Sequence, residues 1–179
     1  MKPEKMSGEL IPDSLVKELI AMADWAPTHA RTEPWRFIVF NSALVSAFCE
    51  SHANLYKNNP GEVPFNQVKY NNLLHAGDNA SHVIVAYMKR VASHKIPEIE
   101  EIAAASCAVQ NLLLAATANG IVSFWSTSGM THHEAFKEHF DLEEEDRVLG
   151  LLYLGYSNEP VKEGFRTIPL AEKVRWVTG

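Results

Sequence analysis

Cysteine is nearly missing from this sequence, with only Cys49 and Cys107 in 179 residues. Two thiols so far apart, each inside an apolar helical pattern, fit a disulfide framework or a zinc site less well than a reduced state. They read as reduced thiols in a cytoplasmic setting. Positive charge is also short. Sixteen Lys and Arg stand against 22 Asp and Glu, a formal net charge of -6, so no global field gathers nucleic acid or an anionic membrane. No apolar run approaches about 18 residues, the length a membrane span needs. The first eleven residues lack the basic-then-apolar layout of a signal peptide. The chain is therefore read as soluble and not secreted. A Gly-x-Gly-x-x-Gly turn after a strand, a phosphate loop and a Gly-x-Ser-x-Gly elbow are all absent, which argues against a dinucleotide Rossmann site and a serine hydrolase. With no repeat, low-complexity tract or linker, one domain over residues 1–179 is expected, and 46% hydrophobic content suffices for one core.

What is present alternates between two periods. Residues 13–25 carry Leu15, Val16, Leu19, Ile20, Met22 and Ala23 at helical spacing, with Asp13 or Ser14 as a cap and Pro27 beyond the end. Residues 35–40 are aromatic and β-branched, a strand. Residues 43–55 return to helical spacing, 67–74 can carry a helix, and Gly77-Asp78-Asn79 is a turn before a strand at 82–88. The longest periodic segment is 97–119, a broad apolar face of small and large residues closed by Asn119-Gly120. It predicts a central helix. A short strand at 121–125, a polar helix at 132–139 and a nearly unbroken apolar strand at 146–156 follow. Such a strand is usually covered on both faces, which predicts an α+β domain of three layers, α/β/α. The tail from 157 to 179 is polar until Val174-Arg175-Trp176-Val177 and reads as a docking arm. His132, His133 and His139 do not make a metal site: adjacent histidines cannot both face one ion from a helix, and 133 to 139 is not an i, i+4 pair.

The turn between the first helix and first strand, Ala26-Pro27-Thr28-His29-Ala30-Arg31-Thr32-Glu33-Pro34-Trp35, packs charge between two apolar elements. Alone, that is ordinary loop chemistry. In order along the chain, however, three blocks resemble the FMN-dependent nitroreductase family. Ala-Pro-Thr followed by Glu33-Pro34-Trp35-Arg36-Phe37-Ile38-Val39 is similar to the family's Ala-Pro-Ser and Gln-Pro-Trp. Gln110-Asn111-Leu112-Leu113-Leu114-Ala115-Ala116 and the following Gly120 to Thr127 resemble its central helix, strand and flavin loop. Leu149 to Tyr156 resembles the strand ending in Leu-Gly-Tyr.

The resemblance implies a nitroreductase-like fold, with a central mixed, mainly antiparallel sheet flanked by helices. It also implies a homodimer with FMN at the subunit interface, and NAD(P)H as co-substrate. A ping-pong cycle would pass electrons to a nitroaromatic, a quinone or a similar small acceptor. His29 falls where the family places a side chain beside the flavin, with Arg31 and Trp25 near the same cavity. Trp125, Ser126 and Thr127 match the loop that lines the ring. Arg166 matches the basic residue for the FMN phosphate, with Lys162 as a second choice, because the arginine fork meets phosphate oxygens bidentately. A cation or donor beside a flavin favours its reduced form, and the cofactor performs the hydride step. No side-chain catalytic acid or nucleophile is expected.

Two departures stand out. Family members usually begin with an Arg-Arg-Ser type motif that holds the phosphate, and this sequence starts after that point. The expectation is a truncated chain or a site with a weaker phosphate grip. Glu33 also stands where glutamine is usual. These departures motivate an alternative reading, a flavin-binding or non-catalytic dimeric protein on the same fold.

Overall fold

The computed structural model describes residues 1–61, 64–160 and 163–178, and its two most apolar strands pair at the centre of the sheet. β1 (Trp35–Phe40), β2 (His82–Met88), β3 (Val122–Ser126) and β4 (Arg147–Gly155) lie in the order β1-β2-β4-β3. Every pairing among them is antiparallel, with Val85 opposite Leu151 and Ser126 opposite Leu151 from the other side. The mixed, mainly antiparallel sheet expected from sequence is thus antiparallel throughout among the described residues. The strands are joined by long helix-bearing connections, with α2 (Val45–Asn58) and α3 (Gln67–Leu74) between β1 and β2, α4 (Glu98–Ala118) between β2 and β3, and α5 (Glu134–His139) between β3 and β4.

Strands without a polar face must be covered twice, and the helices divide accordingly. α1 (Asp13–Ala23) and α4 (Glu98–Ala118) pack on one face, where Val16, Leu19, Ala105, Ala108 and Leu112 meet Ile84, Ala86, Leu152 and Leu154. On the other face α2 (Val45–Asn58) and α5 (Glu134–His139) bring Phe48, Cys49 and Phe136 against Val83, Val85, Leu151 and Tyr153. α3 (Gln67–Leu74) packs beside α2. The alternation of even and odd residues in β2 and β4 sorts one core from the other.

Register shifts between Ala86 and Tyr87, opposite Gly150. Gly150 has φ 148°, and a Cβ there would strike the Trp125 ring and come within 2.7 Å of the Ser126 carbonyl. Only glycine lets β3 close on β4 at this level.

Two boundaries differ from the sequence pattern for local reasons. The helix expected over 132–139 starts at Glu134, because the His133 imidazole accepts from the Ala135 N–H (3.1 Å) as an N-cap. The helix expected from 43 starts at Val45, since the Leu44 and Val45 amides still donate to the Asn41 carbonyl in a turn. α1 is tied to the sheet by a buried relay. The Ser81 hydroxyl accepts from Ile11 N (2.7 Å) and meets His82 Nδ1 (2.9 Å), and His82 Nε2 meets Asp13 Oδ1 (3.0 Å). That hydrogen bond, with one from Asn41, holds the Asp13 carboxyl below its usual range.

By length and composition alone α4 is long and apolar enough to cross a membrane, which corrects the expectation that no segment reaches that size. Its small and apolar residues serve the core instead: Ala104, Ala105, Ala108, Val109, Leu112 and Ala116 are buried against α1 and the sheet. Its first turn carries Glu98, Glu100 and Glu101. Cys49 is buried and Cys107 exposed, and they are not paired.

Candidate functional site

The loop from 24 to 34 is anchored at both ends and strained between them. Ala26 and Trp35 are buried, and the Trp35 indole N–H donates to Asp24 Oδ1 (2.9 Å). Between these anchors Ala30 (φ 50°), Arg31 (φ 56°) and Glu33 (φ 44°) all sit in the left-handed region without being glycine. Each such residue costs on the order of 1 kcal/mol and persists only where its surroundings over-determine it. Thr28 does much of that here, its Oγ1 accepting from Glu33 N (3.1 Å) and pairing with Thr32 Oγ1 (2.9 Å). The Arg36 guanidinium donates to the Glu33 carbonyl (2.7 Å). From the crest, His29 Nδ1 meets Glu100 Oε2 of α4 at 2.6 Å. The pair overlooks a cleft of about 300 Å³ lined by Pro27, Thr28, Ala103, Ala104 and Cys107. Arg31 makes no hydrogen bond or ion pair among the described residues, and Trp25 is 83% exposed. The strained loop thus leaves Trp25, His29 and Arg31 exposed to solvent.

The second group behaves differently because strand alternation separates it. At the end of β3, Ser126 is buried and its hydroxyl pairs with that of Ser128 (2.8 Å). Both open on a cleft of about 520 Å³ that also takes Lys2, Asn72, His75, Phe124 and Tyr153 into its wall. Trp125 is on the opposite side of the strand, its indole N–H donating to the Leu149 carbonyl (2.9 Å). Neither it nor the exposed Thr127 lines this cleft. Arg166 lies in the exposed tail, donating only to the adjacent Phe165 carbonyl (3.0 Å), and Lys162 falls outside the described residues.

The cleft contains groups that sequence reasoning missed. Tyr153 is only 3% exposed and burial pushes its phenol up, yet its hydroxyl finds no hydrogen-bond partner among the described residues. That hydroxyl is not itself shut off from solvent, so it is free to bond water or a ligand in the cleft. His75 Nδ1 is held by Asp78 (2.9 Å) at the mouth, and Lys2 lines the cleft with Glu4, whose carboxylate lies 3.9 Å from its ammonium. Asn72 and His75 are three residues apart next to the Gly77-Asp78-Asn79 turn. That polar i, i+3 pair was the available signal, but its meaning depends on Tyr153, nearly eighty residues on. The structure does not bring the two groups of expected residues into one cavity of one chain: β1, which the strained loop feeds, and β3 lie at opposite edges of the sheet.

A model of the Nitroreductase family matches residues 5–156. The chain is 29% identical over 133 residues to the "Putative NAD(P)H nitroreductase YdjA" of Escherichia coli (strain K12), covering 73% of this chain and 69% of that protein. In three dimensions it resembles a nitroreductase-like family protein from Bacillus cereus, with TM-score 0.82 and 23% identity over 98% of this chain and 90% of that one. It also resembles a nitroreductase from Desulfovibrio desulfuricans solved in complex with FMN, with TM-score 0.71 and 20% identity over 97% and 89% of the two chains.

Proposed function

From the premise that this chain belongs to the nitroreductase family, and is an oxidoreductase like its relatives, we propose that it binds FMN in the cleft beneath Ser126. There it passes electrons from NAD(P)H to a nitroaromatic, a quinone or a similar small acceptor in alternating half-reactions. The observation that carries this reading is the Tyr153 hydroxyl, which has no protein hydrogen-bond partner among the described residues, in the wall of a cleft that also offers Ser126, Ser128, Asn72 and Lys2. Hydroxyl and amide groups suit the polar edge of a flavin and its ribityl chain, Phe124 suits the apolar ring, and Lys2 suits a phosphate. When bound, FMN supplies the redox chemistry, accepting hydride and delivering electrons. The protein's part is to bind, orient and polarise. Arg31 supplies donors and positive charge beside the ring edge, where charge accumulates on reduction, and His29 stands on the same loop.

The separation of the two groups within one chain supports a homodimer in which the strained loop of one copy completes the cleft of the other. α4 leaves an apolar stripe of Ile99, Ala103, Cys107 and Leu114 exposed, and the tail leaves Phe165, Leu170, Trp176 and Val177 exposed. Both need a partner surface. In this reading residues 1–179 form one domain whose tail, from about 157, is an arm that docks on the second copy and brings Arg166 to the phosphate. The location is cytoplasmic.

Purified protein given FMN is expected to retain it through desalting. Its visible flavin band should bleach on addition of NADH or NADPH and return with a quinone. Tyr153→Phe leaves the fold intact, having removed no protein hydrogen bond, and weakens FMN binding about three- to tenfold in a fluorescence titration. A colourless protein that takes up no FMN sinks the proposal and leaves the non-catalytic dimer. Ending the chain after Ser157 is expected to weaken dimerisation more than tenfold by analytical ultracentrifugation. A flavin-loaded, active full-length monomer would refute the shared-site arrangement.

A further inference from the structure

Glu100 lies at the surface end of α4 and pairs with His29. Its carboxylate is about half exposed, as is its partner His29, and exposed pairs of this kind add little to stability. Yet the contact is short at 2.6 Å, spans 71 positions of sequence, and joins α4 to a loop with three strained residues. Within the crest itself, the Thr28 hydroxyl and the Thr32 N–H to His29 carbonyl bond (3.1 Å) fix the backbone. Neither fixes the imidazole. Glu100 does, and it does so with chemical consequence. An ionised carboxylate only accepts hydrogen bonds, so Nδ1 must carry the proton and Nε2 is left as the free acceptor of the neutral ring. An unconstrained imidazole has neither its tautomer nor its rotamer chosen.

We infer that Glu100 is the positioning residue for His29, holding it in the Nδ1–H tautomer with Nε2 directed away from α4 and available to a ligand. The inference rests on the reading that the loop serves a flavin site, and it adds a residue of α4 to that site. The position of Glu100 in the first turn of a long helix suits a carboxylate that must stay ionised, because the helix dipole favours negative charge there. The other charged and titratable groups of the neighbourhood are Arg31 and Glu33 on the loop and Glu98, Glu101 and Cys107 on α4. None of them is hydrogen-bonded to His29 among the described residues.

The test combines imidazole 15N NMR of the full-length protein with steady-state kinetics. In the wild type with a neutral ring, His29 is expected as the Nδ1–H tautomer with Nε2 unprotonated. In Glu100→Ala it reverts to a mixture dominated by Nε2–H, while the melting temperature changes little. Glu100→Asp, with a shorter carboxylate, partly restores the tautomer. With NADH and a quinone, Glu100→Ala lowers kcat/KM roughly fivefold, and Glu100→Ala combined with His29→Ala is no worse than His29→Ala alone. A wild-type ring in the Nε2–H form, or additive losses in the double variant, overturns the inference. A wild-type protein that shows the tautomer but takes up no FMN overturns the flavin reading and leaves the His29–Glu100 lock standing.

Discussion

Replacing Arg90 by Met is expected to cost about 3–5 kcal/mol of unfolding free energy, because it strands a buried carboxylate. Glu101 is 1% exposed on the sheet-facing side of α4. Its Oε2 is held by the Arg90 guanidinium and its Oε1 by the Val91 N–H (3.3 Å). The same guanidinium donates to the Ile96 carbonyl (2.8 Å), and the Arg90 N–H donates to Asp146 Oδ1 (3.0 Å). Asp146, 2% exposed, in turn accepts from Glu143 N (3.2 Å). The segment that leaves β2 for α4 is thus folded around one cation. For a chain of this length the loss corresponds to a fall of about 10 °C in melting temperature, readable by circular dichroism. Removing both charges, as Arg90→Met with Glu101→Leu, is expected to recover more than half of the loss, since no charge is left unpaired. A single variant that melts within a degree or two of wild type would show that the pair is dispensable.

Acid should destabilise the folded protein well above the carboxylate range, through His52. This imidazole is 2% exposed among Phe48, Phe136 and Phe140. Its Nε2 accepts from the Met130 N–H (2.8 Å), and the ring lies so close to Gly129 that a Cβ there would come within 2.6 Å. Burial, with a smaller contribution from Lys69, brings its pKa from 6.5 to about 4. Unfolded chains therefore bind this proton below pH 6.5 while folded ones refuse it until about pH 4. Stability is fully present above 6.5, falls as pH drops through that window, and levels off below 4. A shift of that size amounts to about 3 kcal/mol. Denaturant titrations at pH 7, 5.5 and 4.5 should show the decline in wild type and a flatter profile in His52→Gln, whose amide oxygen can still accept from Met130. Equal slopes in the two proteins would contradict the assignment.

Much of the architecture could be read along the chain. The strands at Trp35–Phe40 and His82–Met88 and the helix at Gln67–Leu74 coincide with the sequence pattern. The apolar run of β4 implied two covered faces, and the model has them. These are short-range properties: the period of the side chains, a capping or breaking residue, and the branching at Cβ. The family blocks were legible for the same reason, being contiguous. The candidate site was legible only in part. Ser126 lines the cleft and its neighbour Trp125 does not, since one step along a strand changes the face. Trp25, His29 and Arg31 lie on an exposed loop at the other edge of the sheet from β3, and Arg166 touches nothing of the cleft. Tyr153 looked like one more core residue in an apolar run.

The sequence by itself therefore determined which segments are helix or strand, that the sheet is covered on both sides, and that the turn at 26–35 is special. All of these follow from interactions within a few residues. Only the tertiary structure decided that Glu100 holds His29, that Arg90 and Glu101 are a buried pair, and that Tyr153 keeps an unpartnered hydroxyl beside Ser126. Such facts depend on which faces meet across ten to eighty positions of chain, and local periodicity says that a face is buried without saying against what.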